Sequence, residues 1–157
     1  MKADENSAKV IFPPPLVFIG FLLIGTVIDR MAGLTGFGLP QSLRLLLAAA
    51  AGGPGIVLIV AAVGGFHKAG TPPQPWREVT AFVSTGVYRF TRNPMYLGMA
   101  AIYLGLALAI DSVAALLLLP VAIIAIQTQV IAREETYMTR TFGMPYSNYC
   151  KRVRRWL

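Results

Sequence analysis

The apolar residues of this chain fall into long runs that are separated by short polar segments. The first run covers Val10–Ile28, with its regular helix expected over 15–28, and the second covers 42–66. Both runs are near or above the ~20 residues that an α-helix needs to cross the hydrocarbon core of a membrane. Three consecutive prolines end at Pro15, and proline is compatible with the first turn of a helix. A glycine-rich stretch, 33–38, lies between the runs. The pattern therefore predicts two membrane-spanning helices joined by a short loop.

A third apolar stretch extends from Met95 to Ile131, and Asp111 is its single charged residue. One helix of that length would measure about 55 Å, whereas the hydrocarbon core is ~30 Å thick. The chain must therefore turn back, and Asp111-Ser112 is the polar point at which it can do so. The pattern predicts an antiparallel hairpin of two further spans, at 95–110 and 113–131.

Two polar segments flank this hairpin. The loop before it, 67–93, is stiffened by prolines, and its residues Glu78–Ser84 are expected to form a short surface helix. The tail after it, 132–157, continues the helical pattern until Gly143, and a last short helix is expected over Pro145–Val153.

The predicted fold is all-α and comprises a single integral membrane domain, 1–157. It is a polytopic bundle of about four transmembrane helices, followed by a C-terminal cytoplasmic helical segment.

The number and distribution of charged residues support a membrane location and distinguish the two sides of the membrane. Only 13% of the residues are charged, against about 25% in typical soluble domains. Four crossings would put both termini and the 67–93 loop on one side. That side carries most of the basic residues, whereas the other carries Arg30 and Arg44. The positive-inside rule makes the basic side cytoplasmic. The net charge of +7 is thus attributed to helix flanks, and no nucleic-acid partner is expected.

Neither the single cysteine nor the single histidine predicts further chemistry. Cys150 has no second cysteine with which to form an internal disulfide. His67 lies beside Lys68 with no other metal ligand near it in sequence, so no metal site is expected.

Two polar clusters should meet at the cytoplasmic end of the hairpin, because its helices are antiparallel. At the first cluster, Asn93 is a favourable N-cap and Pro94 a favourable first helical residue. The backbone N–H groups near Met95 and Tyr96 would then form an anion site, strengthened by the helix dipole and by Arg92. Simple capping with interfacial anchoring is the alternative interpretation.

The second cluster follows the fourth apolar run. Arg133, Tyr137 and Arg140 are predicted to share one helical face, with Glu134 and Glu135 projecting to other sides. A carboxylate at this position can bind ribose hydroxyls or a cation. Two adjacent acids at a helix C-terminus oppose the dipole, which favours a binding role over a solvated helix end.

Four segments carry a resemblance to a known group of enzymes. They are Gly70-Thr71, then Thr85–Tyr88 leading into Arg92–Gly98, then Arg133–Glu135, and finally Phe142–Tyr146 with Tyr149 and Arg154. In this order they resemble the isoprenylcysteine carboxyl methyltransferase and phospholipid methyltransferase superfamily of integral membrane enzymes, over roughly Gly64–Trp156. Asn93 stands where the carboxyl methyltransferases tend to have His, and is closer to the phospholipid-methylating and uncharacterised bacterial members.

The resemblance implies a methyltransferase with S-adenosylmethionine as donor, a cytoplasmic cofactor pocket and a bacterial inner-membrane location. It also implies a lipophilic acceptor that enters from the bilayer, either a phospholipid amine or an isoprenylcysteine-like carboxylate. Membrane lipids or lipidated small molecules would be its partners. Arg133 and Glu134 would act catalytically, by orienting the acceptor or taking a proton. The implied cofactor contacts are Arg92, Asn93, Pro94, Met95, Tyr96, Gly98, Glu135, Tyr146 and Tyr149.

Two other functions remain open on the sequence alone. An NADPH-dependent membrane reductase of sterol-reductase type is similar in its last two helices and in its Gly, Tyr and Tyr ending, but the Arg92–Tyr96 segment favours methyl transfer. A non-enzymatic membrane interaction protein would explain the apolar runs and the basic tail. It would not explain paired acids beside a capped helix start.

Overall fold

The computed structural model describes residues 8, 10, 12–74 and 76–157, and within them the regular elements are all helical. The α-helices are α1 (Pro14–Ala32), α2 (Gln41–Lys68), α3 (Pro94–Ala109), α4 (Val113–Ile126), α5 (Ala132–Phe142) and α6 (Met144–Arg152). A 3₁₀ helix, Gly86–Arg89, precedes α3, and a π-helical turn, Gln127–Ile131, joins α4 to α5. The predicted all-α fold is confirmed for these residues.

Three helical stretches are long and apolar enough to cross a membrane. They are α1, α2 and the continuous helix Val113–Phe142 that includes α4, the π-helical turn and α5. Their outer faces expose large apolar side chains, which lipid would cover; those on α1 include Leu16, Ile19, Leu23, Ile24 and Val27. The protein is therefore an integral membrane protein. Helix α3 is apolar but has only 16 residues, so the count of four crossings stays a prediction.

The chain reverses at Asp111-Ser112, where the sequence predicts the hairpin turn. Asp111 has a φ of 61°, and the Ser112 side chain caps α4 by accepting a hydrogen bond from Ala115 N–H at 3.1 Å. Asp29 at the end of α1 secures the turn, because its carboxylate accepts hydrogen bonds from the Ser112 hydroxyl and from Ala114 N–H. This arrangement fixes α3 and α4 as an antiparallel pair.

Small residues let the helices approach closely. Helix α2 packs chiefly against α3, and α1 against α4. A Cβ atom on Gly98 of α3 would lie 2.6 Å from Ile59 Cγ1 and 2.7 Å from Gly55 O. A Cβ atom on Gly25 of α1 would lie 2.4 Å from the Ala115 backbone. These contacts hold α3 close to α2 and α1 close to α4.

Two sequence expectations about local structure need correction. Glu78–Ser84 is not helical. Side chains outside this segment accept hydrogen bonds from its backbone. Val79 N–H donates to Tyr137 OH at 3.1 Å, and Thr80 N–H donates to Thr71 Oγ1 at 2.9 Å. The helix after the hairpin also does not end at the glutamate pair, because it continues through the π-helical turn to Phe142. Glu134 and Glu135 lie in the first turn of α5 and not at a helix C-terminus. Pro75 and most of the first eleven residues of the predicted domain lie outside the described residues.

Candidate active site

A cavity lies at the end of the bundle where α2 ends, α3 begins and α5 meets α6. It contains ≈ 790 Å³ of empty space, its open mouth included. Its wall joins segments far apart in the chain: the 72–83 part of the loop, the first turn of α3, the first half of α5 and α6. The two polar clusters, which were predicted to meet at this end, therefore line the same cavity.

Most of the predicted site residues line this cavity. They are Arg92, Asn93, Pro94, Met95, Tyr96, Glu134, Glu135, Tyr146 and Tyr149. Gly98 and Arg133 are not in the lining. Gly98 packs against α2, and Arg133 is exposed. The predicted faces of α5 were wrong in this respect, since Tyr137 lines the cavity together with both glutamates and not with Arg133.

The first turn of α3 is tied to the C-terminal tail. Asn93 occupies the N-cap position as predicted, but its side chain does not cap the helix. Its Nδ2 donates instead to Arg155 O at 2.9 Å, and Thr91 Oγ1 donates to the same oxygen at 3.2 Å. The backbone N–H of Arg92 donates to Arg154 O at 3.0 Å. The tail thereby positions the residues that begin α3.

Glu135 lies between two arginines. Its carboxylate is 3.1 Å from Arg92 Nη1 and accepts a hydrogen bond from Arg155 Nε at 3.0 Å and another from Arg155 Nη2. The hydrogen bond to Glu135 raises the pKa of Arg155, which stays cationic. Arg92 Nη1 also donates to Cys150 Sγ at 2.8 Å. These ion pairs and hydrogen bonds connect the segment before α3 with α5, α6 and the tail.

Glu134 has a different environment from its neighbour. It accepts a hydrogen bond from the hydroxyl of buried Tyr96 at 2.6 Å. Arg92 and Arg155 are both engaged with Glu135. Glu134 is therefore the carboxyl group of the lining that a neutral phenol contacts, whereas Glu135 contacts two guanidinium groups.

Aromatic rings form another wall of the cavity. Phe82 packs edge-on against Tyr146 and Tyr149, at centroid distances of 5.7 and 5.1 Å. Tyr149 OH donates to Tyr88 O at 2.7 Å. Burial raises the pKa of Tyr149 to about 12 and also raises the pKa of Tyr88 and Tyr146. The phenols are thus neutral near pH 7, and the wall is suited to stacking with a planar group or to contact with a cation.

Some lining residues were not predicted as site residues from the sequence. Gln74 and Phe82 belong to the loop. Phe82 lies in the segment that was predicted as a surface helix, and neither residue was given a binding role. Tyr88 was part of the resembling segments but received no role. Among the described residues, Gln74 Oε1, Tyr88 OH and Arg92 Nε are buried lining atoms without a hydrogen-bond partner. Since such atoms normally have partners, a water molecule or a polar ligand in the cavity would complete their hydrogen bonding.

Comparison with known proteins agrees with this geometry. The sequence profile of the phospholipid methyltransferase family matches residues 43–144, well over half of the chain and most of the cavity wall. An uncharacterized protein of Haemophilus influenzae (strain ATCC 51907 / DSM 11121 / KW20 / Rd) is 41% identical over 63 residues, which are 40% of this chain and 100% of that protein. No solved structure matches the chain.

Proposed function

The chain belongs to the phospholipid methyltransferase family, and from this membership we propose that it methylates a membrane lipid with S-adenosylmethionine as donor. The family is one of membrane methyltransferases that act on lipid-like substrates. The observation that carries the proposal is the shared cavity, in which the first turn of α3 faces the glutamate pair of α5. Neither a reductase nor a binding protein accounts for both the family match and this arrangement.

The residues present fit the donor chemically. Arg92, with its unpartnered Nε, would hold the carboxylate of the amino-acid part. Glu135 would accept hydrogen bonds from ribose hydroxyls or from the ammonium group. Phe82, Tyr146 and Tyr149 would pack against the adenine ring or the positive sulfonium. Each chemical part of the donor therefore finds a matching group in the cavity wall.

Among acceptors, the cavity favours an amine over a carboxylate. When bound, S-adenosylmethionine supplies a methyl group on positive sulfur, which the acceptor attacks in line while sulfur keeps the electron pair. Glu134 would attract an ammonium head group, whereas it would repel a carboxylate. Glu134 would also take the proton that the amine must lose, with Tyr96 holding the carboxylate in place. Arg133 lies outside the cavity lining, so the proposal gives the proton-accepting role to Glu134.

The acceptor would enter sideways from the bilayer. The lining includes an apolar group of side chains beside the polar ones, namely Val79, Ala81, Val83, Met95 and Met138. These are suited to acyl chains, whereas the head group would lie at Glu134. We further propose that this end of the bundle faces the cytoplasm, where the donor is made, and that the membrane is a bacterial inner membrane.

The donor part is tested by calorimetry on the protein in lipid nanodiscs. We expect S-adenosylmethionine to bind and NADPH not to bind. Glu135→Gln should weaken donor binding by more than about tenfold, because a charge-assisted hydrogen bond is lost. Glu78→Gln is the matched control, since Glu78 is exposed and lies outside the cavity lining. Binding of NADPH with no binding of S-adenosylmethionine to the folded protein would refute the proposal.

The acceptor part is tested with methyl-labelled donor and a membrane lipid extract. We expect the label in an aminophospholipid, with no label in a methyl ester. Mild base separates the two products, because it hydrolyses a methyl ester and leaves an N-methyl group intact. Label found only in the base-labile fraction would contradict the amine assignment while leaving the donor assignment in place.

A further inference from the structure

The cavity end of the bundle carries an exposed basic surface, formed by Arg89, Lys151, Arg152 and Arg154. Two hydrogen bonds bring these residues together from separate parts of the chain. Tyr149 OH donates to Tyr88 O at 2.7 Å, and Arg92 N–H donates to Arg154 O at 3.0 Å. The 3₁₀ helix, the end of α6 and the tail therefore form one continuous basic surface.

Acidic residues do not neutralise this surface. The segment 136–157 contains five basic residues and no acidic residue, and the segment 79–93 contains two basic residues and no acidic residue. Glu135, the acid nearest in sequence to the basic residues of α6 and the tail, is engaged with Arg92 and Arg155. The positive charge of the four exposed side chains is thus available to a partner outside the protein.

Large apolar side chains lie exposed within the same segments. Phe90, between Arg89 and the start of α3, is 76% exposed, and Leu157 at the end of the tail is 75% exposed. A surface that binds a soluble polyanion has no need of such residues. A surface that meets lipid head groups does, because aromatic and aliphatic side chains there enter the acyl boundary while the basic groups contact phosphate.

We propose that the basic surface binds the head groups of anionic phospholipids in the leaflet that borders the cavity mouth. Charge complementarity selects an anionic lipid over a zwitterionic one, and the exposed Phe90 and Leu157 select a membrane over a soluble anion. This interaction is separate from the acceptor pocket and does not depend on methyl transfer. It assigns a ligand to exposed side chains of α6 and the tail that do not line the cavity.

The test measures the lipid that the purified full-length protein retains. The protein in detergent is equilibrated with equal amounts of phosphatidylglycerol and phosphatidylcholine, and native mass spectrometry gives the ratio of the two bound lipids. We expect phosphatidylglycerol to be favoured, and Lys151→Gln with Arg152→Gln to lower the ratio by at least about threefold. Salt at high concentration should lower the ratio of the unaltered protein as well.

Arg152→Gln and Arg30→Gln form a matched pair, since each removes one exposed charge and Arg30 lies at the end of α1. Only the first should reduce the preference. An equal effect of both, or a ratio near one in the unaltered protein, overturns the proposal. Competition by an RNA oligonucleotide that displaces phosphatidylglycerol at equal phosphate concentration would also overturn it, in favour of a soluble polyanion. Unchanged circular dichroism spectra establish that each variant is folded.

Discussion

At the scale of single residues, two adjacent glutamates have different surroundings, and the sequence does not show this difference. Glu134 and Glu135 are chemically identical and neighbours in the chain, yet one contacts a phenol and the other two guanidinium groups. The sequence shows that two acids follow the hairpin, and hence that they lie near Arg92. It does not show how α5 is rotated, so it grouped Tyr137 with Arg133 and away from the glutamates. The residue that lines the cavity beside the pair is Tyr137.

This difference predicts different kinetic effects for the two glutamates. Glu134→Gln keeps a hydrogen-bond acceptor for Tyr96 but cannot take a proton at pH 7. We expect turnover to fall by about 100-fold while the dissociation constant of the donor changes little. Radiolabel transfer gives the turnover and calorimetry the dissociation constant. Tyr96→Phe is the companion variant, and its loss should be smaller because the carboxylate remains. Equal losses of turnover and donor affinity in Glu134→Gln would argue against a proton-accepting role.

At the scale of elements, apolar pattern predicted the helices and their reversal, because both follow from length and hydrophobicity. The turn at Asp111-Ser112 is an example. The pattern did not predict the π-helical turn Gln127–Ile131, although the polar residues Gln127, Thr128 and Gln129 mark its place in the apolar run. It also failed over Glu78–Ser84, where hydrogen bonds to distant side chains replace helical ones. Local sequence does not encode partners that lie 58 residues away.

At the scale of elements, Gly98 allows helix packing to be distinguished from cofactor binding. It was predicted as a cofactor contact, and it lies where α3 packs against α2. In Gly98→Leu the new side chain meets Ile59 and the Gly55 carbonyl, and overpacking of this kind costs about 2 kcal/mol. We expect a lower unfolding temperature in detergent, followed by circular dichroism. Gly20→Leu in α1 is the control, since nothing lies within 4 Å of its added Cβ. If Gly98→Leu weakens donor binding at unchanged stability, the cofactor role is supported instead.

For the whole molecule, the positions of the loops between the helices bear on how many times the chain crosses the membrane. The α1–α2 loop meets the α3–α4 turn, because Phe37 N–H donates to Asp111 at 3.0 Å and Arg44 pairs with the same carboxylate at 2.7 Å. The cavity and the tail lie where α2 ends and α3 begins. Helix α3 packs along α2 from that end to the turn. This favours four crossings, although α3 has only 16 residues.

Cysteine labelling in intact cells tests this topology. In a Cys150→Ser background, Thr35→Cys places an exposed thiol in the α1–α2 loop and Thr141→Cys places one near the end of α5. If the basic end is cytoplasmic, a membrane-impermeant maleimide should label Thr35→Cys in intact cells and should label Thr141→Cys only after permeabilisation. The labelling of both in permeabilised cells is the control for thiol access. The reverse pattern would place the cavity on the side away from the cytoplasmic donor, and the proposed enzyme would then lack its methyl source.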